Sequence, residues 1–146
     1  MNMKKIISLI FLFCLFFKSE INAKENFFEE AKKNYDNKKM EISKFLFQRN
    51  IVFNPKDAKS YLYLAKIYNY EENESEEIKN LKTTLILAPD NEEAMYMLIN
   101  IKLKKSNFSE VRDLTKKFEL VCSKLCDKTK NIEKRLKDIE VSKKNN

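Results

Sequence analysis

From residue 24 to residue 142, apolar-patterned stretches about four helical turns long alternate with short polar connections. The pattern predicts helices over residues 24–37, 40–53, 57–71, 74–87, 91–105, 108–121 and 127–142. Their ends carry specific signals. Asn73 and Asn107 each stand three residues before a glutamate, Glu76 and Glu110, a capping arrangement in which side-chain acceptors satisfy the free amides of a helix start. Asp90 and Glu93 give the same signature. Pro55 and Pro89 each follow an apolar run and disfavour helical geometry in the residue before them, which ends the preceding helix. In the last stretch Ile132, Leu136 and Ile139 fall on one face, the pattern of an amphipathic helix that Asp127 or Thr129 can cap.

These landmarks recur at a fixed stride. Pro55 and Pro89, the two prolines of the chain, are 34 residues apart, and the segment 73–76 recurs at the same distance as 107–110. Leu64 returns as Leu98, Ile67 as Ile101 and Ala31 as Ala65. Six helices with short connections at this period pair as three antiparallel hairpins.

A 34-residue helical hairpin with a large residue at position 4, a small one at 8, bulky ones at 24 and 28 and proline at 32 resembles the tetratricopeptide repeat. Tyr61, Ala65, Leu81, Leu85 and Pro89 hold those places in the second repeat, joined by Leu64 and Tyr68. Phe27, Ala31, Phe47, Ile51 and Pro55 hold them in the first, where Tyr35 falls one place late and allows a one-residue slip in the turn. The third repeat offers Met95, Leu98, Val111 and Phe118, with Ile99 in place of the small residue and Lys102 in place of the tyrosine. Position 20, usually alanine, is Ser43, Glu77 and Val111, which sets close packing within the hairpins at risk. The resemblance implies an all-α fold: three hairpins (24–57, 58–91 and 92–122) stacked as a right-handed solenoid, then a capping helix and charged tail over residues 123–146. Stacked repeats need such a cap to cover their last apolar flank.

Ahead of the repeats stands an address. Lys4 and Lys5 precede an unbroken apolar run over residues 6–17, and a polar stretch ends at Ala23. This is the layout of a secretory signal peptide, residues 1–23, cleaved near Ala23. A run of twelve residues reaches about 18 Å as a helix, short of the roughly 30 Å hydrocarbon core. A retained membrane anchor is the alternative. Cys14 lies inside the run behind the bulky Phe13, which does not suit a lipid-carrying cysteine.

Composition narrows the chemistry. The 146 residues contain no glycine and no histidine. That excludes phosphate-cradling loops and nucleophile elbows, and removes the commonest general base and metal ligand. Adjacent carboxylates such as Glu29 and Glu30, Glu71 and Glu72, or Glu76 and Glu77 point about 100° apart on a helix and read as solvent-facing charge. No enzyme, cofactor or metal site is expected. Loss of Lys4, Lys5, Lys18 and Glu20 with the signal takes the formal charge from +7 to +5 and leaves two cysteines, Cys122 and Cys126. An even pair in an exported chain predicts a structural disulfide at the final turn, with two idle thiols as the alternative.

In the tetratricopeptide family the first helix of each hairpin lines a concave groove. The resemblance places there Phe28, Lys32, Tyr35 and Asp36; then Lys59, Leu62, Lys66, Asn69 and Tyr70; then Glu93, Tyr96, Asn100, Leu103 and Lys104. Aromatic residues supply rigid contact area, lysines meet carboxylates and asparagines bond a peptide backbone. The expected partner is therefore a protein or peptide, modestly acidic with some apolar anchors, bound by a non-catalytic interaction module or scaffold outside the cytoplasm, periplasmic or secreted. The family's basic carboxylate clamp is not carried over, because its positions hold Phe28, Lys32, Tyr63, Glu93 and Met97. The alternative is a basic surface binder of anionic polymer or membrane, although the lysines interleave with glutamates and form no strip visible in the sequence. Neither a nucleic acid nor a small-molecule substrate is expected.

Overall fold

The computed structural model describes residues 26–144, and the expected signal at residues 1–23 lies outside them. Among the described residues the fold is all-α: α1 (Phe27–Asp36), α2 (Met40–Phe53), α3 (Ala58–Tyr70), α4 (Glu74–Leu87), α5 (Glu92–Lys104), α6 (Phe108–Val121) and α7 (Lys128–Lys144). The first six pair in order as hairpins, α2 packs on α3 and α4 on α5 to join neighbouring hairpins, and α7 lies against both α6 and α5. No helix among the described residues is long and apolar enough to cross a membrane.

The turns within the three hairpins are the same turn. Lys38, Glu72 and Ser106 take positive φ of 61°, 58° and 56°, each 34 residues from the next. Around them the same bonds repeat: Lys38 N–H to Tyr35 O and Lys39 N–H to Asn34 O, Glu72 to Asn69 and Asn73 to Tyr68, Ser106 to Leu103 and Asn107 to Lys102. This is the Schellman ending, a left-handed residue whose neighbouring amides fold back on the last free carbonyls. Glycine usually fills that place because a Cβ strains it; in a chain without glycine it falls to Lys, Glu and Ser. The identical bonding shows that the first turn has not slipped, although Tyr35 sits one place late.

Four helix starts are set by asparagine. Asn26, Asn73, Asn91 and Asn107 each accept a bond from the amide three residues on. The start of α5 is thus capped by Asn91 and not by Asp90. At the junction of the first two hairpins Asn50 donates to Asp57 and Ser60, each at 2.8 Å, and Ser60 donates to Asp57 at 2.7 Å. That network satisfies the polar groups enclosed there.

The core runs through the stack as three linked clusters. Phe27, Ala31, Leu46, Phe47, Leu64 and Ile67 form the first. The second gathers Leu62, Ala65, Leu81, Ala94, Leu98 and Ile101. Met95, Ile99, Leu103, Val111 and Phe118 form the third, which Ile132 of α7 closes with partly buried Leu136 and Ile139. Position 20 is buried in every hairpin. Ser43 donates to Ala31 O at 2.9 Å, Val111 packs directly, and Glu77, only 4% exposed, accepts from Asn69 Nδ2 at 3.1 Å. Glu77 therefore departs from the expectation of a solvent-facing carboxylate: its helix turns it inward against α3. Burial raises its carboxyl above the ordinary range, against the pull of Asn69 and of Lys104.

Candidate functional site

The first helices of the hairpins, α1, α3 and α5, form one face, and a chain of side chains crosses it. Tyr63 of α3 stands at its centre. Its ring stacks on Phe47 with centroids 5.0 Å apart and meets Phe28 and Tyr35 edge-on at 5.8 and 5.1 Å. Lys66, one turn along α3, sits 4.7 Å over the same ring and reaches Glu93 of α5 at 2.8 Å. The three helices are thus tied by an aromatic cluster on one side and an ion pair on the other. Burial holds the Tyr35 phenol above its ordinary pKa, partly offset by Lys66.

Phe28, Lys32, Tyr35 and Lys66 lie together on this face, each partly exposed. Lys32 is paired with Asp36 at 3.0 Å, a contact that raises its pKa. Both lysines are therefore already paired with carboxylates of this chain, so an acidic guest must share them with, or displace, Asp36 or Glu93. Lys59 and Asn69 are exposed on α3, with Asn69 committed to Glu77. Tyr70 is 70% exposed but lies at the hairpin ends, beside Lys38, Met40 and Ile42.

The third repeat differs. Leu103 is fully enclosed in the core, and Leu62 of the second repeat is buried too, so neither offers a free side chain. On α3, Tyr63 and Lys66 are partly exposed beside buried Leu62. Tyr96 tilts against Phe118 and packs in the cluster that α7 closes. Asn100 accepts from Arg135 of α7 and spends its own amide on Tyr96 O. α7 thus takes up Tyr96 and Asn100, and the open part of the face is the part spanning α1 and α3.

Two clefts border it. One of about 610 Å³ runs between α1 and the α2–α3 connection, with Phe28, Asn50, Phe53, Asp57 and Lys59 in its walls. Another of about 590 Å³ lies over Leu62 between the start of α5 and the segment before α7, with Asp90, Glu92, Glu93, Lys124 and Leu125 around it. The wall at 122–126 has its own architecture. Cys122 and Cys126 are joined in a disulfide with Cα atoms 5.3 Å apart. Within the loop the amides of Ser123, Lys124 and Leu125 converge on the Glu92 carboxylate at 2.8 to 3.2 Å. These bonds, Ser123's foremost, hold Glu92 below its ordinary pKa. No group of acidic and cysteine side chains suited to a metal ion occurs among the described residues.

Sequence reading missed Tyr63 and Glu92. Tyr63 lies between the core residues Leu62 and Leu64, where a one-residue error in helix phase changes its side. Glu92 is one of two adjacent glutamates, and nothing local marks the one that reaches a loop 31 residues away.

No protein-family model matches the chain, and no curated protein matches it in sequence. Solved structures do. The Yersinia enterocolitica type III secretion translocator chaperone SycD aligns with a TM-score of 0.69 at 15% identity, over 86% of this chain and 90% of SycD. The same chaperone in complex with a peptide of the translocator YopD gives 0.69 at 14%, over 86% and 98%. A chain of the CopN–Scc3 complex gives 0.62 at 17%, over 84% and 72%. At such identities the likeness concerns the fold, which is an array of tetratricopeptide-like helical hairpins.

Proposed function

We propose that the chain is a non-catalytic protein-binding module that acts outside the cytoplasm and holds an extended or helical peptide segment of its partner across α1 and α3. One observation carries the reading: Phe28, Tyr35 and Tyr63 converge, with Lys66 over the last ring, on a face left open beside α7. Rigid aromatic area with one polar handle is the residue type that dominates peptide and protein recognition. The neighbouring structure in which a chaperone of this fold binds a translocator peptide supports the same use of the array. Because Lys32 and Lys66 are already ion-paired, apolar anchors on the guest supply affinity, and its carboxylates share or exchange these lysines with Asp36 and Glu93.

Action outside the cytoplasm rests on the signal-like segment over residues 1–23 and on the cysteine pair. The test is to isolate the protein with its partner from the envelope of cells that express it, and to measure retention of that partner. Tyr35→Ser with Lys66→Ala should lower retention at least about tenfold, the loss of a typical hot spot. Lys33→Ala, an exposed position about 100° further round α1 from Lys32, should leave it unchanged. Equal retention by all three proteins would move the site away from this face.

A further inference from the structure

The second helices, α2, α4 and α6, form the outer face, and one position on it is out of character. Val52, Ile86 and Leu120 are 77%, 77% and 86% exposed, and each is 34 residues from the next. Equivalent positions of stacked hairpins lie side by side, so these three make a row across the array, one aliphatic tip per hairpin. Neighbouring outer positions do not behave this way. Where the second and third hairpins carry Lys79 and Asp113, the first carries Phe45; where they carry Glu76 and Glu110, it carries Ile42. Both are exposed, whereas Phe53 stacks on Phe27 and lines the cleft beside α1. Val52, Ile86 and Leu120 line neither of the large clefts. They project from a surface.

Cations flank the row. Residues three and four positions earlier share a helix face with their successor. Ahead of Val52 stands Arg49, whose guanidinium lies 4.4 Å over the Phe27 ring; ahead of Ile86 stands Lys82, and ahead of Leu120 Lys116 and Lys117. All are exposed, and Lys82, Lys116 and Lys117 have no ion-pair partner among the described residues. The acidic residues Glu41, Glu76, Glu110 and Asp113 belong to the first halves of their helices, and Glu119 lines the cleft between α6 and α7 together with Lys116. The ends of the three outer helices therefore present aliphatic tips, with exposed lysines beside them on α4 and α6.

We infer that this outer row docks the protein on an anionic lipid bilayer, with Val52, Ile86 and Leu120 entering the headgroup boundary and Lys82 and Lys117 meeting lipid phosphates. Projecting aliphatic tips with lysines beside them are the interfacial pattern of peripheral membrane proteins. Docked this way, the array turns the α1 and α3 face toward the solvent side of the membrane, where a guest can reach it.

The chain contains no tryptophan, so a single one reports its own position. In the full chain, Ile86→Trp should shift its emission to the blue on addition of phosphatidylglycerol-containing vesicles. Pure phosphatidylcholine vesicles should give little shift, and salt should reverse it. Lys59→Trp, on the inner face, should not respond, which separates the row from any contribution of the apolar segment at residues 6–17. Adding Val52→Ser and Leu120→Ser to the reporter should raise the lipid needed for half the shift at least about threefold. Equal shifts at positions 59 and 86 overturn the inference, as does a salt-insensitive shift in neutral vesicles. A reporter at position 86 that responds only to a protein assigns the row to a protein interface and overturns it as well. None of these readings depends on a guest in the groove.

Discussion

At the scale of single residues, two strained choices have opposite remedies. Glu77 is a carboxylate turned into a hairpin, where a smaller residue would ordinarily pack. Its folded pKa lies above the unfolded value, so the native state gives up stability as pH rises through the carboxylate range and recovers it when the group is protonated. Glu77→Gln keeps an acceptor for Asn69 without the charge. It should raise the melting temperature at pH 7, and the gain should vanish below the ordinary carboxylate pKa. A gain that persists at acid pH would place the cause elsewhere. Lys38, Glu72 and Ser106 are the second case, since each holds a left-handed backbone with a Cβ. Replacing any of them with glycine removes that strain and should stabilise the fold by about 1 kcal/mol in urea unfolding, less the entropy glycine adds to the unfolded chain. These positions were not legible in the sequence. With no glycine to mark the turns, the left-handed residue is an ordinary Lys, Glu or Ser, and only the backbone bonds reveal it.

At the scale of elements, the helices were largely legible because period, caps and prolines agree. The expected stretch 40–53 is α2, and 74–87 and 108–121 are α4 and α6 with the same bounds. The other ends differ by one to three residues, as at α1, which begins behind Asn26. Packing across elements was less legible. Leu62 and Leu103 matched groove positions of the tetratricopeptide pattern, yet both lie in the core, because small changes of helix phase matter most where apolar residues flank the boundary. The role of α7 shows the same limit. Its apolar face marked it as a cap, but Arg135 reaching Asn100 and the loop amides reaching Glu92 are contacts over 30 residues or more. They make the 122–126 loop a latch for α7. The folded pKa of Glu92 is depressed, so the latch holds at neutral pH and weakens as pH falls below the ordinary carboxylate value toward the folded one. Glu92→Ala should increase amide hydrogen exchange at residues 123–132 at least about tenfold while leaving α1 to α4 unchanged. Unchanged exchange in that segment would mean that the apolar face of α7 holds it without the latch.

At the scale of the whole molecule, the two proposed surfaces fall on opposite faces of the array. Three hairpins and a cap enclose a continuous core. Phe47, stacked under Tyr63 and fully buried, joins that core to the inner face. Phe47→Ala should therefore cost about 3–5 kcal/mol of stability and loosen the aromatic cluster with it. The repeat makes the outer row possible for the same reason that it makes the core: a residue placed once per hairpin becomes a line when the hairpins stack. Its apolar members were each visible in the sequence, but exposure was not, since an aliphatic residue in a helix of this kind is ordinarily core.

The central claim, a guest held on the face of α1 and α3, is tested most directly by photo-crosslinking in cells that express the protein. A photoreactive residue is placed at Lys32, Lys66, Lys33 or Lys79 in turn, and the adducts are identified by mass spectrometry. The account predicts that positions 32 and 66 trap the same partner, through one segment of it, and that 33 and 79 do not. Adducts of that partner at 33 and 79, with none at 32 and 66, would contradict it.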